Sequence, residues 1–203
     1  MQQEAKILDL PPSNRVDAKK RIANAAIRCF NQYGPQRTSM ADIAEEANIS
    51  RKTLYRIFDD RATLIEYILL QRMYALGDQV REKLSHMSDY EEALLEGSIF
   101  AIRISKEDKL FNDIVKRDTN HRVEMFLLGP RDEVKEAISD VWKFVIQLGR
   151  DSGQIKQDIS DERIVELLVN VHVILLIRDD YSDDDQRSFL RDFVLAALEP
   201  RTA

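Results

Sequence analysis

The stretch TSMADIAEEANISRKTLYRIF, residues 38–58, carries the signals of two short helices joined by a tight turn. Ser39 is placed to cap the first helix, and Asp42, three residues later, completes the pattern of a capping box. Asn48 stands where the chain must turn, and asparagine tolerates the left-handed backbone conformation better than most residues. Ser50 is placed to cap a second helix that runs to the end of the stretch. The pattern therefore predicts a helix-turn-helix unit.

The apolar residues of this stretch fall on the inner face of the predicted unit. Small side chains at Ala44 and Ala47 allow the second helix to approach closely, and Ile49 and Leu54 are placed to hold the pair against a preceding helix. The remaining side chains of the second helix are then free to project, namely Arg51, Lys52, Thr53, Tyr55 and Arg56. A helix N-terminus attracts phosphate, and arginine or lysine can also donate to guanine in the major groove. These residues are therefore predicted to bind DNA.

The sequence before this stretch predicts an arm and a first helix. Residues 1–14 are interpreted as a flexible arm, because the pair at 11 and 12, both proline, is expected to exclude a helix there. An amphipathic helix is predicted from about Arg15 to the break at Gly34, which gives a DNA-binding domain over residues 15–60. Cys29 falls on its apolar face and is predicted to be a small buried hydrophobic residue.

The remaining residues, 61–203, predict a second, wholly helical domain. Helical segments are expected at about 61–84, 89–105, 107–128, 131–150, 161–178 and 184–198. Glycine and proline together account for only 11 of 203 residues, which is too few turn-formers for an all-β protein. The predicted fold class is all-α: a three-helix helix-turn-helix domain followed by a helical ligand-binding and dimerisation domain, about nine helices in total.

Charge and composition exclude several other classes of protein. Residues 1–60 have a charge balance of +2 and residues 61–203 a balance of −8, so the predicted DNA-binding part is the basic one. One cysteine and three histidines offer no cluster with metal-ligand spacing, so no metal and no cofactor are expected. No signal peptide or membrane span is predicted, which favours a cytoplasmic protein, associated with the nucleoid when DNA-bound.

The segment from Arg21 to Leu64 resembles the DNA-binding domain of the tetracycline-repressor (TetR) family of bacterial transcription regulators. The residues that carry the resemblance lie in the first helix and in the helix-turn-helix stretch, namely Ala25, Ala26, Phe30, Gly34, Thr38, Ser39, Ile43, Ala44, Ala47, Ile49, Ser50, Thr53, Leu54, Tyr55 and Phe58, with Arg61 and Leu64 after them. The segment that shows the resemblance covers about 45 of the 203 residues. The rest of the chain agrees with the family only in length and helical character.

The resemblance implies roles for individual residues. Thr38, Ser39, Tyr55 and Arg61 would contact phosphate, and the residues from Arg51 to Thr53 would face base edges. The predicted DNA-binding set is then Thr38, Ser39, Ser50, Arg51, Lys52, Thr53, Tyr55, Arg56 and Arg61. Basic residues at 15, 19 and 20 would bind the DNA backbone or simply form a solvated helix start.

The sequence departs from the family pattern at three places. Asn48 replaces the usual glycine, which is consistent with a left-handed turn. Arg51 and Lys52 stand near a position where glycine or alanine is frequent, so the recognition helix is unusually basic and the operator sequence does not follow by analogy. Arg61 replaces the usual lysine.

The resemblance also implies a homodimer on a double-stranded DNA operator. The helices at about 161–178 and 184–198 have more apolar surface than one partner face requires. They are either an ordinary core pair within one chain or half of a four-helix dimer interface, and the resemblance favours the dimer.

A small-molecule pocket in the middle helices is implied in the same way. Candidate residues are Phe100, Ile104, Phe111, His121, Phe126, Trp142, Ile146 and His172, and a pocket of this kind would take a hydrophobic or amphipathic effector. Each of these residues also fits plain packing. Arg103 or Arg122 could meet an acid group of the ligand.

The function predicted from the sequence is that of a ligand-released repressor. The alternatives are a DNA-binding regulator controlled by a protein partner or by its abundance, a helical adaptor that binds only protein, and an enzyme. A helical adaptor that binds only protein would not account for the basic residues of the second helix in the helix-turn-helix unit. No phosphate-binding loop, catalytic serine motif or zinc-protease motif occurs in the sequence, so no catalytic residue is expected.

Overall fold

The computed structural model describes residues 12–116, 126–129 and 131–200, with side chains from residue 15 to 114 and in the two later ranges. Every regular element in these ranges is helical, which confirms the all-α prediction. The elements are α1 (Pro12–Tyr33), a 3-10 turn (Pro35–Arg37), α2 (Met40–Glu46), α3 (Arg51–Ile57), α4 (Arg61–Leu84), α5 (Tyr90–Glu107), α6 (Lys109–Lys116), α7 (Asp132–Asp151), α8 (Asp161–Ile177) and α9 (Asp183–Leu190). A π-helical segment, Arg191–Leu195, and a last turn, Ala196–Leu198, continue α9.

The start of α1 differs from the prediction. The helix begins at Pro12 rather than at about Arg15, because the first turn of a helix has no intrahelical partners for its N–H groups and so accepts proline. The rest of the predicted arm, residues 1–11, lies outside the described residues. So do residues 117–125, which belong to the helix predicted over 107–128.

The first compact unit ends at Leu69 and is built on α1, α2 and α3. Its core consists of fully buried residues from all three helices and the following turn, among them Ala25, Ala26, Ile43, Leu54 and Phe58. Cys29 is a free, buried thiol, as predicted.

The predicted tight turn is present between α2 and α3. Asn48 has a φ of 53°, in the left-handed region, and its N–H donates to the carbonyl of Glu45 at 2.9 Å. The N–H of Ile49 then donates to the carbonyl of Ala44 at 3.0 Å. These two bonds close α2, and α3 can then begin immediately, at Arg51.

The second compact unit begins at Leu70, and α5 is its central helix. This helix packs against α6, α7, α8 and α9, and it is buried along most of its length. Gly97 allows a close approach, because a Cβ added there would lie 2.7 Å from Cδ2 of Leu84 and 3.3 Å from the indole of Trp142. Glycine at this position therefore sets the place of the Trp142 ring.

The connection between α7 and α8 is held by Arg150. Its guanidinium donates to the carbonyls of Lys156 at 2.6 Å and Ile159 at 2.5 Å, and it pairs with the carboxylate of Asp161 at 2.9 Å. These bonds anchor both helices on either side of the turn, and α7 and α8 form two walls of the cavity described below.

The boundary between the units lies inside α4, not at residue 60 as predicted. Leu64 and Ile68, in the first turns of α4, are buried, and the ring of Tyr67 lies 5.5 Å from that of Phe58. The start of α4 therefore belongs to the core of the first unit.

Candidate functional site

The capping residues of the helix-turn-helix unit are placed as the sequence predicts. The hydroxyl of Ser39 accepts from the N–H of Asp42 at 3.2 Å, and the Asp42 carboxylate accepts from the N–H of Ser39 at 2.8 Å. The Asp42 carboxylate also accepts from the Ser39 hydroxyl at 2.8 Å, and its two hydrogen bonds, from the N–H and from the hydroxyl of Ser39, hold the pKa of Asp42 below its ordinary value. Ser50 caps α3 through the N–H of Thr53 at 3.1 Å. Both helices therefore begin at fixed points on the surface of the unit.

The outer face of α3 carries charge and hydrogen-bonding groups. Arg51 and Lys52, in its first turn, are exposed, and so is Tyr55, with 48% of its surface accessible. Ser39 and Ser50 are exposed at the starts of α2 and α3. On the opposite face of α3, Leu54 and Ile57 are buried. The helix thus presents two cations and a phenol to solvent while its inner face is fixed to the core.

Two of the predicted contact residues point inward instead, and the prediction is corrected for them. Thr38 is 3% exposed, and its hydroxyl donates to the carbonyl of Gly34 at 2.9 Å, which stabilises the end of α1. Thr53 is 6% exposed, and its hydroxyl lies 3.0 Å from that of Ser50. The Thr38 hydroxyl is bonded to the backbone and the Thr53 hydroxyl to a side chain, and the burial of both residues keeps them away from DNA.

Arg56 and Arg61 are also turned toward the protein. The Nε and Nη2 atoms of Arg56 are buried. The guanidinium of Arg61 donates to the carbonyl of Pro35 and lies 5.8 Å from the ring of Phe30, and partial burial lowers its pKa. The direct phosphate contact expected of Arg61 is therefore corrected: the side chain joins the start of α4 to the turn that precedes α2.

Basic residues elsewhere in the first unit divide in the same way. Lys19 lies over the rings of Phe58 and Tyr67, at 6.0 and 5.7 Å from their centroids, so its ammonium supports the core. Arg15 and Lys20 are exposed. Arg37, at the end of the 3-10 turn and two residues before Ser39, is exposed as well, and sequence reasoning missed it. The sequence signal for Arg37 was a basic residue two positions before the predicted N-cap, Ser39.

A cavity of about 130 Å³ lies within the second unit. Helices α4, α5, α6, α7 and α8 and residue 127 contribute to its wall, and the described residues that line it are apolar apart from Ser105 and His172. Three of the candidate residues, Phe111, Trp142 and His172, are part of this wall. The sequence did not identify the contribution of α4, although Gly77, a glycine inside an apolar helical stripe, was a signal of a close approach.

Four other candidates lie elsewhere, and their prediction as cavity residues is corrected. Ile104 and Ile146 are part of the general core. Phe100 lies beneath the cations of Lys83 and Arg103, at 5.2 and 5.5 Å from its ring centroid, so Arg103 is engaged there too.

Phe126, the fourth of these candidates, is buried, with the guanidinium of Arg131 5.3 Å from its ring centroid. His121 and Arg122 lie outside the described residues.

His172 is the polar group of the cavity with unmet hydrogen-bonding capacity. Its Nε2 atom is buried and has no hydrogen-bond partner among the described residues. Burial lowers the pKa of His172 to about 4, so the imidazole is neutral at neutral pH.

Other classes of site find no support in the described part of the chain. No group of three or more histidine, cysteine, aspartate or glutamate side chains there is placed to hold a metal ion. Within the same ranges, no helix has both the length and the hydropathy needed to span a bilayer.

Comparison with known proteins identifies relatives of the chain. Residues 22–68 match the family described as bacterial regulatory proteins, tetR family. An uncharacterized HTH-type transcriptional regulator of Mycobacterium tuberculosis is 27% identical over 186 residues, which cover 92% of this chain and 88% of the relative.

Two solved structures show the same fold. FadR of Thermus thermophilus, a TetR-family transcriptional repressor in complex with lauroyl-CoA, matches with a TM-score of 0.65 and 20% identity, over 91% of this chain and 97% of that one. RolR in complex with resorcinol matches with a TM-score of 0.63 and 20% identity, over 93% of this chain and 90% of that one.

Proposed function

Because the chain belongs to the tetR family of bacterial regulatory proteins, through the domain at residues 22–68, we propose that it binds a specific DNA operator as a homodimer and releases it when a small apolar effector binds. The DNA-binding part rests on the outer face of α3, where Arg51, Lys52 and Tyr55 are exposed together. As a regulator of the chromosome, the protein would act in the bacterial cytoplasm.

The exposed groups divide into two kinds of DNA contact. Arg51 and Lys52 would reach base edges in the major groove, where an arginine or lysine donates to the two acceptors of guanine. Tyr55 would donate to phosphate, which fixes the register of the helix on the duplex. The exposed hydroxyls of Ser39 and Ser50 would do the same once they exchange their hydrogen bonds to Asp42 and Thr53 for phosphate. Arg37 adds an exposed charge two residues before Ser39 and is proposed as a further phosphate contact.

The homodimer is supported by the surface of α8 and of the helical extension after α9. Ile174, Ile177 and Phe193 have 44%, 51% and 60% of their surfaces accessible, and the rings of Phe189 and Phe193 lie 4.7 Å apart. Large apolar side chains at this exposure are costly in water, so we propose that a second copy covers them. Two-fold symmetry would then present two α3 helices to two half-sites, roughly one turn of DNA (~34 Å) or more apart.

The effector part of the proposal is supported by the cavity in the second unit. FadR and RolR, which share the fold, are recorded with small molecules bound. Helix α4 runs from the first unit into the second and contributes Met73, Leu76 and Gly77 to the cavity wall. A ligand that favours one position of α4 would shift the DNA-binding equilibrium by its differential affinity for the two states.

The DNA-binding proposal is tested by fluorescence anisotropy with DNA from the protein's own promoter region. We expect specific binding that weakens steeply with salt, and weaker binding by the Arg51→Ala/Lys52→Ala double variant. Lys143→Ala, which removes an exposed cation from the second unit, is the matched control and should bind as the wild type does. Equal affinity for promoter and random DNA would contradict specific regulation, and a monomer in sedimentation at micromolar concentration would contradict the dimer.

A further inference from the structure

The size of the cavity limits what it can hold. Its volume is about 130 Å³, close to the ~150 Å³ of an engineered apolar cavity that stays dry and binds benzene. A single six-membered ring with one small substituent fills such a space. A long acyl chain is larger than this space and would have to extend out of it.

The described part of the wall disfavours charged ligands. It contains no aspartate, glutamate, lysine or arginine, so a carboxylate or an ammonium ion would find no charged partner among these residues. The uncharged polar groups are the hydroxyl of Ser105, which already donates to the carbonyl of Ala101 at 2.7 Å, and the imidazole of His172.

The imidazole of His172 gives the cavity one specific polar requirement. A neutral histidine ring has one donor and one acceptor nitrogen, and Nε2 is unpartnered among the described side chains. The Nε2 atom itself has no accessible surface, but part of the residue is accessible and His172 is one of the residues of the cavity wall. An unmet buried polar group is costly, so a ligand that supplies a hydrogen bond at this point gains affinity that a pure hydrocarbon does not.

We propose that the cavity binds a small, neutral, hydroxyl-bearing single-ring compound, of which phenol is the simplest example, with the ring against the apolar wall and the hydroxyl hydrogen-bonded to His172. This inference rests on the proposed function, since it names the chemical class of the effector. Trp142, whose ring centroid is 5.2 Å from that of His172, borders the same part of the wall and favours a flat aromatic ring over a flexible chain.

The test is isothermal titration calorimetry on the full chain without DNA, near neutral pH, with phenol, toluene, benzoate and lauroyl-CoA. Phenol and toluene have the same number of heavy atoms, so the pair isolates the hydroxyl. We expect phenol to bind about tenfold more tightly than toluene. Benzoate and lauroyl-CoA should show no saturable binding, because the first is charged and the second is too long.

Two variants assign the effect to the histidine. His172→Leu should weaken phenol binding about tenfold and leave toluene binding within about threefold, because it removes only the hydrogen-bonding group. His86→Leu makes the same change at an exposed histidine after α4 and should bind both compounds as the wild type does.

The outcomes separate this inference from the proposed function. Tighter binding of toluene, benzoate or lauroyl-CoA than of phenol by the wild type overturns the ligand class, whether or not the variants fold. Specific promoter binding with no phenol binding overturns the inference and leaves the DNA-binding function standing. Phenol binding in calorimetry without release of promoter DNA in anisotropy supports the ligand class and overturns release by the effector.

Discussion

The imidazole of His172 on α8 and the indole of Trp142 on α7 lie with their ring centroids 5.2 Å apart and their planes inclined at 45°. Both residues are part of the wall of an apolar cavity. Burial also lowers the pKa of His172 to about 4, so the imidazole is uncharged at neutral pH. His172 therefore connects the packing of the second unit, its expected pH response and the proposed chemistry of its ligand.

The stability of the protein should fall between about pH 6.5 and pH 4 because of His172. Its pKa is lowered to about 4 in the folded state, whereas an unfolded histidine titrates near 6.5, so below pH 6.5 the unfolded chain binds the extra proton and is favoured. The contribution of this group is complete above pH 6.5 and is lost as the pH falls toward 4. Between pH 7 and pH 5 we expect a loss on the order of 1–2 kcal/mol in urea unfolding. His172→Leu should flatten this dependence and His86→Leu should keep it; an unchanged slope in His172→Leu would contradict the assignment.

Asn48 should tolerate glycine and reject a β-branched residue. Its φ of 53° is favourable for glycine and acceptable for asparagine, but valine is strained there. We expect Asn48→Val to lower the free energy of unfolding by about 1–2 kcal/mol, and Asn48→Gly to leave it within about 0.5 kcal/mol of the wild type. Chemical denaturation measures both. Equal stability of the two variants would mean that the turn is not left-handed in solution.

Substitutions at Ser50 should separate helix capping from DNA binding. Ser50→Ala removes the cap of α3 and should cost about 1 kcal/mol of stability. Ser50→Asp retains a good cap but puts a negative charge beside the proposed DNA surface, so its thermal stability should match the wild type while its affinity for promoter DNA falls at least about tenfold. Thermal unfolding and anisotropy report the two effects. Undiminished DNA binding by Ser50→Asp would place the start of α3 away from the phosphates.

Substitution of Arg51 should change DNA binding, whereas substitution of Arg61 should change stability. Arg51 is exposed, so Arg51→Ala should weaken DNA binding, reduce its salt dependence and leave the melting temperature unchanged. Arg61 donates to the Pro35 carbonyl, so Arg61→Ala should lower stability by about 1–2 kcal/mol. Differential scanning fluorimetry and anisotropy on both variants decide the point. If Arg61→Ala melts like the wild type but loses DNA affinity, the family's usual phosphate contact holds here and its inward orientation is wrong.

Gly97→Ala should destabilise the second unit even though alanine is the better helix former. The added methyl group would lie 2.7 Å from Leu84 and 3.3 Å from Trp142, so these side chains must move, at a cost of about 1–3 kcal/mol against a helix-propensity gain of about 1 kcal/mol. Ser98→Ala, the next residue, is the control. It removes a buried hydroxyl without a partner among the described residues and should be neutral or stabilising. A gain in stability for Gly97→Ala would show that Trp142 and Leu84 can move to accept a methyl group at little cost.

Much of the first unit is determined by its sequence, because its signals are local. A cap, its partner three residues on and a turn residue act within one or two helical turns, and Ser39, Asp42 and Asn48 all have the predicted conformations. The apolar spacing also fixes which face of α3 is inward, and Leu54 is buried accordingly. The helix-turn-helix unit and the all-helical class therefore follow from the sequence alone.

The orientation of Arg61 was decided by a tertiary contact, whereas Thr38 and Thr53 turn inward through hydrogen bonds to residues three or four positions away, which the sequence pattern did not distinguish from DNA contacts. Thr38, Thr53 and Arg61 match the positions of DNA-contacting residues in the sequence pattern, yet each finds a hydrogen-bonding partner within the unit. The cavity depends still more on tertiary structure, since it forms where Gly77, Trp142 and His172 come together from three helices distant in the chain. Helical periodicity specifies the apolar face of each helix but not which neighbouring helix packs against it. Only the packing of the helices in the tertiary structure determines where a cavity remains between them.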